Sequence, residues 1–228
     1  MPFQDFHAPD SGGRILERQR MVKEQLIPRG VKNQAVLESM ITVPRHFFVP
    51  EHLQQYAYCD GPLAIGEGQT ISQPYIVALM VEAVEPAPAD LALEVGTGSG
   101  YAAAVLSRIV SRVYTIERRE SLAFEAIRRF RLLGYDNIEV CIGDGTKGWP
   151  GHAAFDDILV SAAAPGVPGS LRKQLKPGGR MVIPVGGRGY QELVRVRLNK
   201  DGVFSQENLG AVQFVPLVGE EGWVDSNK

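Results

Sequence analysis

Leu91-Ala92-Leu93-Glu94-Val95-Gly96-Thr97-Gly98-Ser99-Gly100-Tyr101 is the stretch from which the fold can be read. Its first five residues are an apolar run suited to a buried strand, three spaced glycines follow, and residues 101–109 have helical character. Glycine lets the chain turn sharply and lets a ligand lie against the backbone, and a helix start offers unpaired N–H groups, so strand, glycine turn and helix make a nucleotide-binding candidate. The spacing narrows the ligand. A dinucleotide fingerprint would need its third glycine at Tyr101, and a P-loop would need Gly-Lys-Ser/Thr where Gly100-Tyr101-Ala102 stands. Glu94 beside the loop repels a pyrophosphate but suits an ammonium and a sulfonium, as in S-adenosylmethionine. Glu117 ends the next apolar run, where an acid can take both ribose hydroxyls. Glu94, Gly96, Thr97, Gly98, Gly100 and Glu117 are therefore the cofactor-binding candidates.

Downstream the pattern alternates. Leu122, Ala126, Phe130 and Leu133 mark a helix closed by Gly134; 138–142, 155–160 and 181–185 read as strands, and 167–175 as a short helix. Alternation of this kind predicts an α/β fold with a doubly wound, mostly parallel sheet. Arg195 and Arg197 alternate with apolar residues, Lys200-Asp201-Gly202 is a turn and 211–218 is a returning strand, which predicts an antiparallel C-terminal hairpin. Ligands of such sheets sit at the carboxyl ends of the strands. Asp144 and Gly145 thus join the cofactor set, Asp144 as an acceptor for an adenine amino group, and Ala163 falls on the substrate side.

Upstream, residues 1–13 are polar and rich in Pro and Gly and are expected to be poorly ordered. The rest, 14–228, reads as one domain, with a helical front section and substrate loop over 14–85 and the cofactor-binding sheet over 86–228. Ile15, Val22 and Leu26 share a helix face ahead of Pro28, and Asn33 can cap a second helix. Residues 56–73 look irregular and carry few charges, the character of a binding loop. That loop delivers Thr70 and Ser72 to a helix with Pro74 in its first turn and Ile76, Leu79, Met80 and Ala83 on one face.

The 228 residues are 44% hydrophobic, enough for a full core, and the net charge of −2 gives no basis for nucleic-acid binding. Cys59 and Cys141 have no neighbours for a C-x-x-C site, and the four histidines lack metal spacing, so no metal is expected. No signal peptide or membrane-spanning run is visible, which predicts a cytoplasmic protein, by default a monomer.

Met21-Val22-Lys23-Glu24-Gln25-Leu26, Val43-Pro44-Arg45-His46-Phe47-Phe48-Val49-Pro50, Gly68-Gln69-Thr70-Ile71-Ser72-Gln73-Pro74-Tyr75, the glycine loop and Leu175-Lys176-Pro177-Gly178-Gly179 together resemble the protein-L-isoaspartate (D-aspartate) O-methyltransferases. The glycine loop is common to many methyltransferases; Gly-Gln-Thr-Ile-Ser-Gln-Pro is far more specific. The resemblance implies methylation by S-adenosylmethionine of the free α-carboxylate of isoaspartyl residues in damaged proteins and peptides, yielding S-adenosylhomocysteine. Ser72 matches the active-site serine, and activity on D-aspartyl residues stays open.

A carboxylate is already nucleophilic and a sulfonium already activated, so the reaction needs alignment more than a base. Ser72 and Thr70 are the catalytic candidates, as positioners, with Ile71, Ala163, Pro216 and Leu217 on the substrate side. The competing reading of Ser72 is a cap for the following helix. Rival readings of the chain are a methyltransferase acting on a small-molecule carboxylate, an adenosyl-binding module without turnover, and a dehydrogenase.

Overall fold

The computed structural model describes residues 13–151, 154–187 and 189–224; the expectation of disorder at the N-terminus falls almost entirely outside them. The front section begins with α1 (Ile15–Met21), which runs on through a π turn and a 3-10 turn to Gly30, followed by α2 (Gln34–Thr42). Asn33 caps α2 as expected, its side chain accepting from the Val36 N–H at 3.2 Å. Two 3-10 turns then lead into β1 (Leu63–Gly66) and β2 (Gln69–Ile71), and α3 (Pro74–Ala83) starts at Pro74.

The segment expected to be irregular thus contains an antiparallel hairpin, with Leu63 opposite Ile71. Its strands are only four and three residues long, too short for alternation to show in the sequence.

The main sheet comprises β3 (Leu91–Val95), β4 (Arg112–Glu117), β5 (Ile138–Ile142), β6 (Phe155–Val160), β7 (Leu175–Gly186), β8 (Gln191–Leu198) and β9 (Phe204–Val212). Their order is β5-β4-β3-β6-β7-β8-β9, parallel through β7 and antiparallel beyond it. The chain starts at the centre, winds outward through β4 and β5, and returns to lay β6 against β3, so the winding reverses between β3 and β6. That reversal opens a crevice at the carboxyl ends of the two strands.

The helices α4 (Tyr101–Ser107), α5 (Glu120–Leu133) and α6 (Gly169–Lys173) follow β3, β4 and β6. The C-terminal hairpin is formed by β8 and β9, and the return strand lies at 204–212 where 211–218 was expected. β9 is an edge strand whose side chains are mostly exposed, so pairing is carried by its backbone and leaves little apolar signature. Residues 213–218 instead cross back over the strand ends, where Pro216 bridges Ala163.

One apolar cluster joins Met21, Leu26, Met40 and Phe48 of the front section to Leu106 of α4 and Phe130 of α5. The opposite face of the sheet packs Leu93, Ile158 and Met181 against Leu171 of α6. Between loop and helix stands Gly100, at φ +92°, where an added Cβ would lie 2.7 Å from Cζ of Phe130. Gly100→Ala should therefore combine left-handed strain with overpacking and destabilise the protein by about 1–3 kcal/mol, read as a lower urea midpoint.

Candidate active site

The crevice between β3 and β6 is walled by the glycine loop, the end of β4, the segment from β2 to α3, and the returning chain at 215–224. Thr70, Ile71, Ser72, Pro216 and Leu217 line one side, and Glu94, Gly96, Thr97, Gly98, Glu117 and Gly145 another. Gly100, Asp144 and Ala163 are placed behind this lining.

Backbone bonds hold the glycine loop. Gly96 and Thr97 N–H both donate to the Ile116 carbonyl, at 2.8 and 3.3 Å, and Gly98 N–H donates to Glu117 Oε2 at 2.9 Å. Arg119 N–H donates to the other oxygen of the same carboxylate at 2.9 Å. Glu117 therefore ties the loop after β3 to the turn after β4 while its remaining acceptor capacity is left for a ligand.

Glu94 shares a sheet face with Thr115, which pairs with it across β3 and β4. The Thr115 hydroxyl donates to Glu94 Oε2 at 2.6 Å, so the Thr97–Thr115 contact at 2.7 Å takes its proton from Thr97. Glu94 is fully buried and its Oε1 has no partner. Burial pushes its carboxyl up to about 8, with the neighbouring Glu117 adding to the effect and the Thr115 bond opposing it. Glu94 by itself is thus mostly neutral at pH 7, and a cation placed beside it would draw the proton off.

On the substrate side Ser72 does not cap α3. The N-cap residue is Gln73, which makes no side-chain cap bond. The Ser72 carbonyl accepts from Arg45 Nη2 at 2.8 Å. Its hydroxyl bonds to no other described residue, and Ser72 lines the crevice. The β1–β2 hairpin lies across the glycine loop, with Ile65 Cδ1 3.4 Å from where a Cβ on Gly98 would stand. Glu67 at the hairpin tip pairs with Arg119 at 3.2 Å and accepts from the Ser121 hydroxyl at 3.1 Å.

The returning chain is bolted to the loop after β6. Ala163 N–H donates to the Val215 carbonyl and Leu217 N–H to the Ala163 carbonyl, both at 2.8 Å. Trp223, which lines the crevice, donates its indole N–H to the same Ala163 carbonyl at 3.0 Å. Ala163 therefore supports Pro216 and Leu217 through its backbone. Asp144 accepts from Thr146 N–H and hydroxyl at 2.9 and 2.7 Å and from Glu220 N–H at 2.8 Å. Partial burial opposes its ionisation, but the Glu220 and Thr146 bonds outweigh it and hold the carboxyl below the usual aspartate range. Its oxygens are engaged by these neighbours, and Gly145 forms the crevice wall on that side.

Sequence reasoning missed Trp223, Glu67 and Arg119. A single tryptophan in a polar tail has no periodicity to betray it, and the Glu67–Arg119 pair spans elements far apart in the chain.

A doubly wound sheet with a glycine loop at its switch point, a buried acid at the end of the first strand and a second acid at the end of the next defines a class I S-adenosylmethionine-dependent methyltransferase. Within that class the chain belongs to the protein-L-isoaspartate (D-aspartate) O-methyltransferase family, whose family model matches residues 17–222. It is 68% identical over 216 residues to a protein-L-isoaspartate O-methyltransferase of Pelotomaculum thermopropionicum, covering 95% of this chain and 94% of that one. A relative of the same name from Dictyoglomus turgidum is 48% identical over 225 residues, 99% of this chain and all of the other. Among solved structures, a protein-L-isoaspartate O-methyltransferase superposes with a TM-score of 0.80 at 28% identity, over 90% of this chain and 67% of that one. A Plasmodium falciparum protein described as a putative member, solved with S-adenosyl-L-homocysteine, gives 0.76 at 25% identity, over 88% and 98%. No helix of the described residues is long and apolar enough to cross a membrane.

Glu94 also predicts how stability depends on pH. Its folded pKa of about 8 lies above its ordinary 4.5, so the folded protein holds an extra proton between those values and loses stability as pH rises through them. Asp157, also buried and pushed up to about 8 by desolvation and by Asp90, acts in the same direction. Urea midpoints should fall from pH 5.5 to pH 8, and Glu94→Gln should shrink that fall without abolishing it, because Asp157 remains.

Proposed function

We propose that this crevice transfers the methyl group of S-adenosylmethionine to the free α-carboxylate of L-isoaspartyl residues in damaged proteins and peptides, with Ser72 and Thr70 orienting that carboxylate. The observation that carries the reading is the Ser72 hydroxyl, on the crevice wall with no hydrogen bond to any other described residue, while its own carbonyl is held from behind.

The residues present fit the cofactor. The buried unpartnered oxygen of Glu94 suits an ammonium, Glu117 has acceptor capacity for ribose hydroxyls, and the backbone at Gly96, Thr97 and Gly98 allows close approach. Gly145 forms the wall beyond β5, its turn held by Asp144, and Gly100 sets the angle between loop and helix. When bound, the cofactor supplies an activated methyl on a sulfonium.

Ser72 and Thr70 then act by donating hydrogen bonds to the acceptor carboxylate, fixing one oxygen in line with that methyl. No base is needed, because an ionised carboxylate has no proton to give up. The charges of anion and sulfonium cancel as the ester forms, so a dry crevice favours the step. Ile71, Leu217 and Trp223 supply the apolar cover that keeps water out, and the backbone at Pro216 borders the peptide.

The front section and the sheet share one apolar cluster, which supports treating 14–228 as one domain. We place the protein in the cytoplasm as a monomer, with isoaspartyl proteins and peptides as its partners.

The test is methyl transfer from labelled S-adenosylmethionine to a peptide with one isoaspartyl residue, beside the same peptide with ordinary aspartate and a panel of small carboxylates. A base-labile label on the isoaspartyl peptide alone is the expected result; label on a small carboxylate would favour the small-molecule alternative. Ser72→Ala should lower kcat/KM by about 10- to 100-fold while leaving S-adenosylhomocysteine affinity unchanged.

A further inference from the structure

Arg45 is among the largest side chains shut completely away from solvent, with 0% exposure. Its Nε donates to the Ala57 carbonyl at 2.8 Å and its Nη2 to the Ser72 carbonyl at 2.8 Å. The guanidinium lies over the ring of Tyr101, 4.8 Å from its centroid, and Tyr101 is itself a wall of the crevice. Its Nη1 has no hydrogen-bond partner.

This arginine is completely buried and yet has no anion beside it. Arg29, Arg119, Arg180, Arg195 and Arg197 each pair with a carboxylate near the surface. No carboxylate of the described residues pairs with Arg45, whose neighbours are all neutral: two carbonyls, and the ring and phenol of Tyr101. A buried charge without a counterion is costly, and in a low-dielectric setting its field is little screened. The charge sits directly behind Ser72, and Ser72 is the residue placed to meet an anionic acceptor. Lining the same crevice are Arg118 and Arg119, rival sources of positive potential, but Arg118 is exposed and Arg119 is partly exposed and paired with Glu67, so salt can screen them.

We infer that Arg45 is an electrostatic positioning residue for the acceptor: its uncompensated charge behind Ser72 makes the crevice select a carboxylate over a neutral group of the same shape. The inference rests on the substrate reading above and adds the origin of its selectivity for charge. Arg45 acts through Ser72 and across the Tyr101 wall, without touching the substrate.

The experiment compares two peptides bound to the full chain saturated with S-adenosylhomocysteine, one isoaspartyl and one with a carboxamide in place of the free α-carboxylate. Calorimetric affinities for both are measured with the wild type, Arg45→Gln and Arg45→Lys. The wild type should prefer the carboxylate, Arg45→Lys should keep the preference even if both peptides bind more weakly, and Arg45→Gln should lose about 10-fold of it. A purely structural role would weaken both peptides alike. A folded Arg45→Gln protein with the wild-type preference overturns the inference, as does a wild type that binds both peptides equally.

Should Arg45→Gln fail to bind S-adenosylhomocysteine and so prove unfolded, the wild type alone decides. A preference unchanged between about 0.05 and 0.5 M salt is that of a buried charge, and one that collapses belongs to the exposed arginines and overturns the inference. A wild type that binds neither peptide strikes at the substrate reading itself, an outcome distinct from the others.

Discussion

The Gly98 N–H to Glu117 carboxylate bond is the contact on which the site depends. It joins the loop after β3 to the end of β4, and the same carboxylate takes the Arg119 N–H, so one side chain sets the relation of two strand ends and the start of α5. The glycine loop can assume its path only because three of its residues tolerate left-handed backbone, and the acid opposite, which receives the Gly98 amide, helps to hold that path beside the bonds from Gly96 and Thr97 to the Ile116 carbonyl. Remove the acid and the Gly98 amide loses its partner, while the loop's tie to the start of α5 is lost with it.

Around that contact the molecule places charge sparingly. Burial, and to a lesser extent the nearness of Glu117, favour the neutral form of Glu94, so two adjacent carboxylates need not both be ionised there. Arg45 keeps its charge, because even with burial pulling its pKa down to about 10 the guanidinium remains protonated at neutral pH. One wall thus holds a latent anion and the other a permanent cation, an arrangement suited to a positively charged donor on one side and a negatively charged acceptor on the other.

The family resemblance carried by Gly68 to Pro74 and the glycine loop is matched by the family assignment and by the sheet. Strands 91–95 and 155–160 stand where the apolar runs placed them, since buried parallel strands are written as mostly hydrophobic residues, and 138–142 does so too although it is a half-exposed edge. The β1–β2 hairpin escaped notice, and the return strand β9 was expected several residues too late, for a common reason. Both are held by backbone pairing with much of their surface wet, and backbone hydrogen bonds leave little mark in residue type.

Local chemistry, then, was legible from the sequence alone: which runs are buried, where glycine must turn, which acids follow strands, and which loop delivers Thr70 and Ser72 to a helix start. Only the tertiary structure decided what stands behind those residues. That Ser72 leaves α3 uncapped, that Ala163 serves Leu217 and Trp223 through its carbonyl, that Asp144 is engaged by Thr146 and Glu220, and that Arg45 has no carboxylate beside it are all relations between distant parts of the chain. A side chain's hydrogen-bond partners and its exposure are set by whatever the fold brings against it, and no window of sequence contains that information.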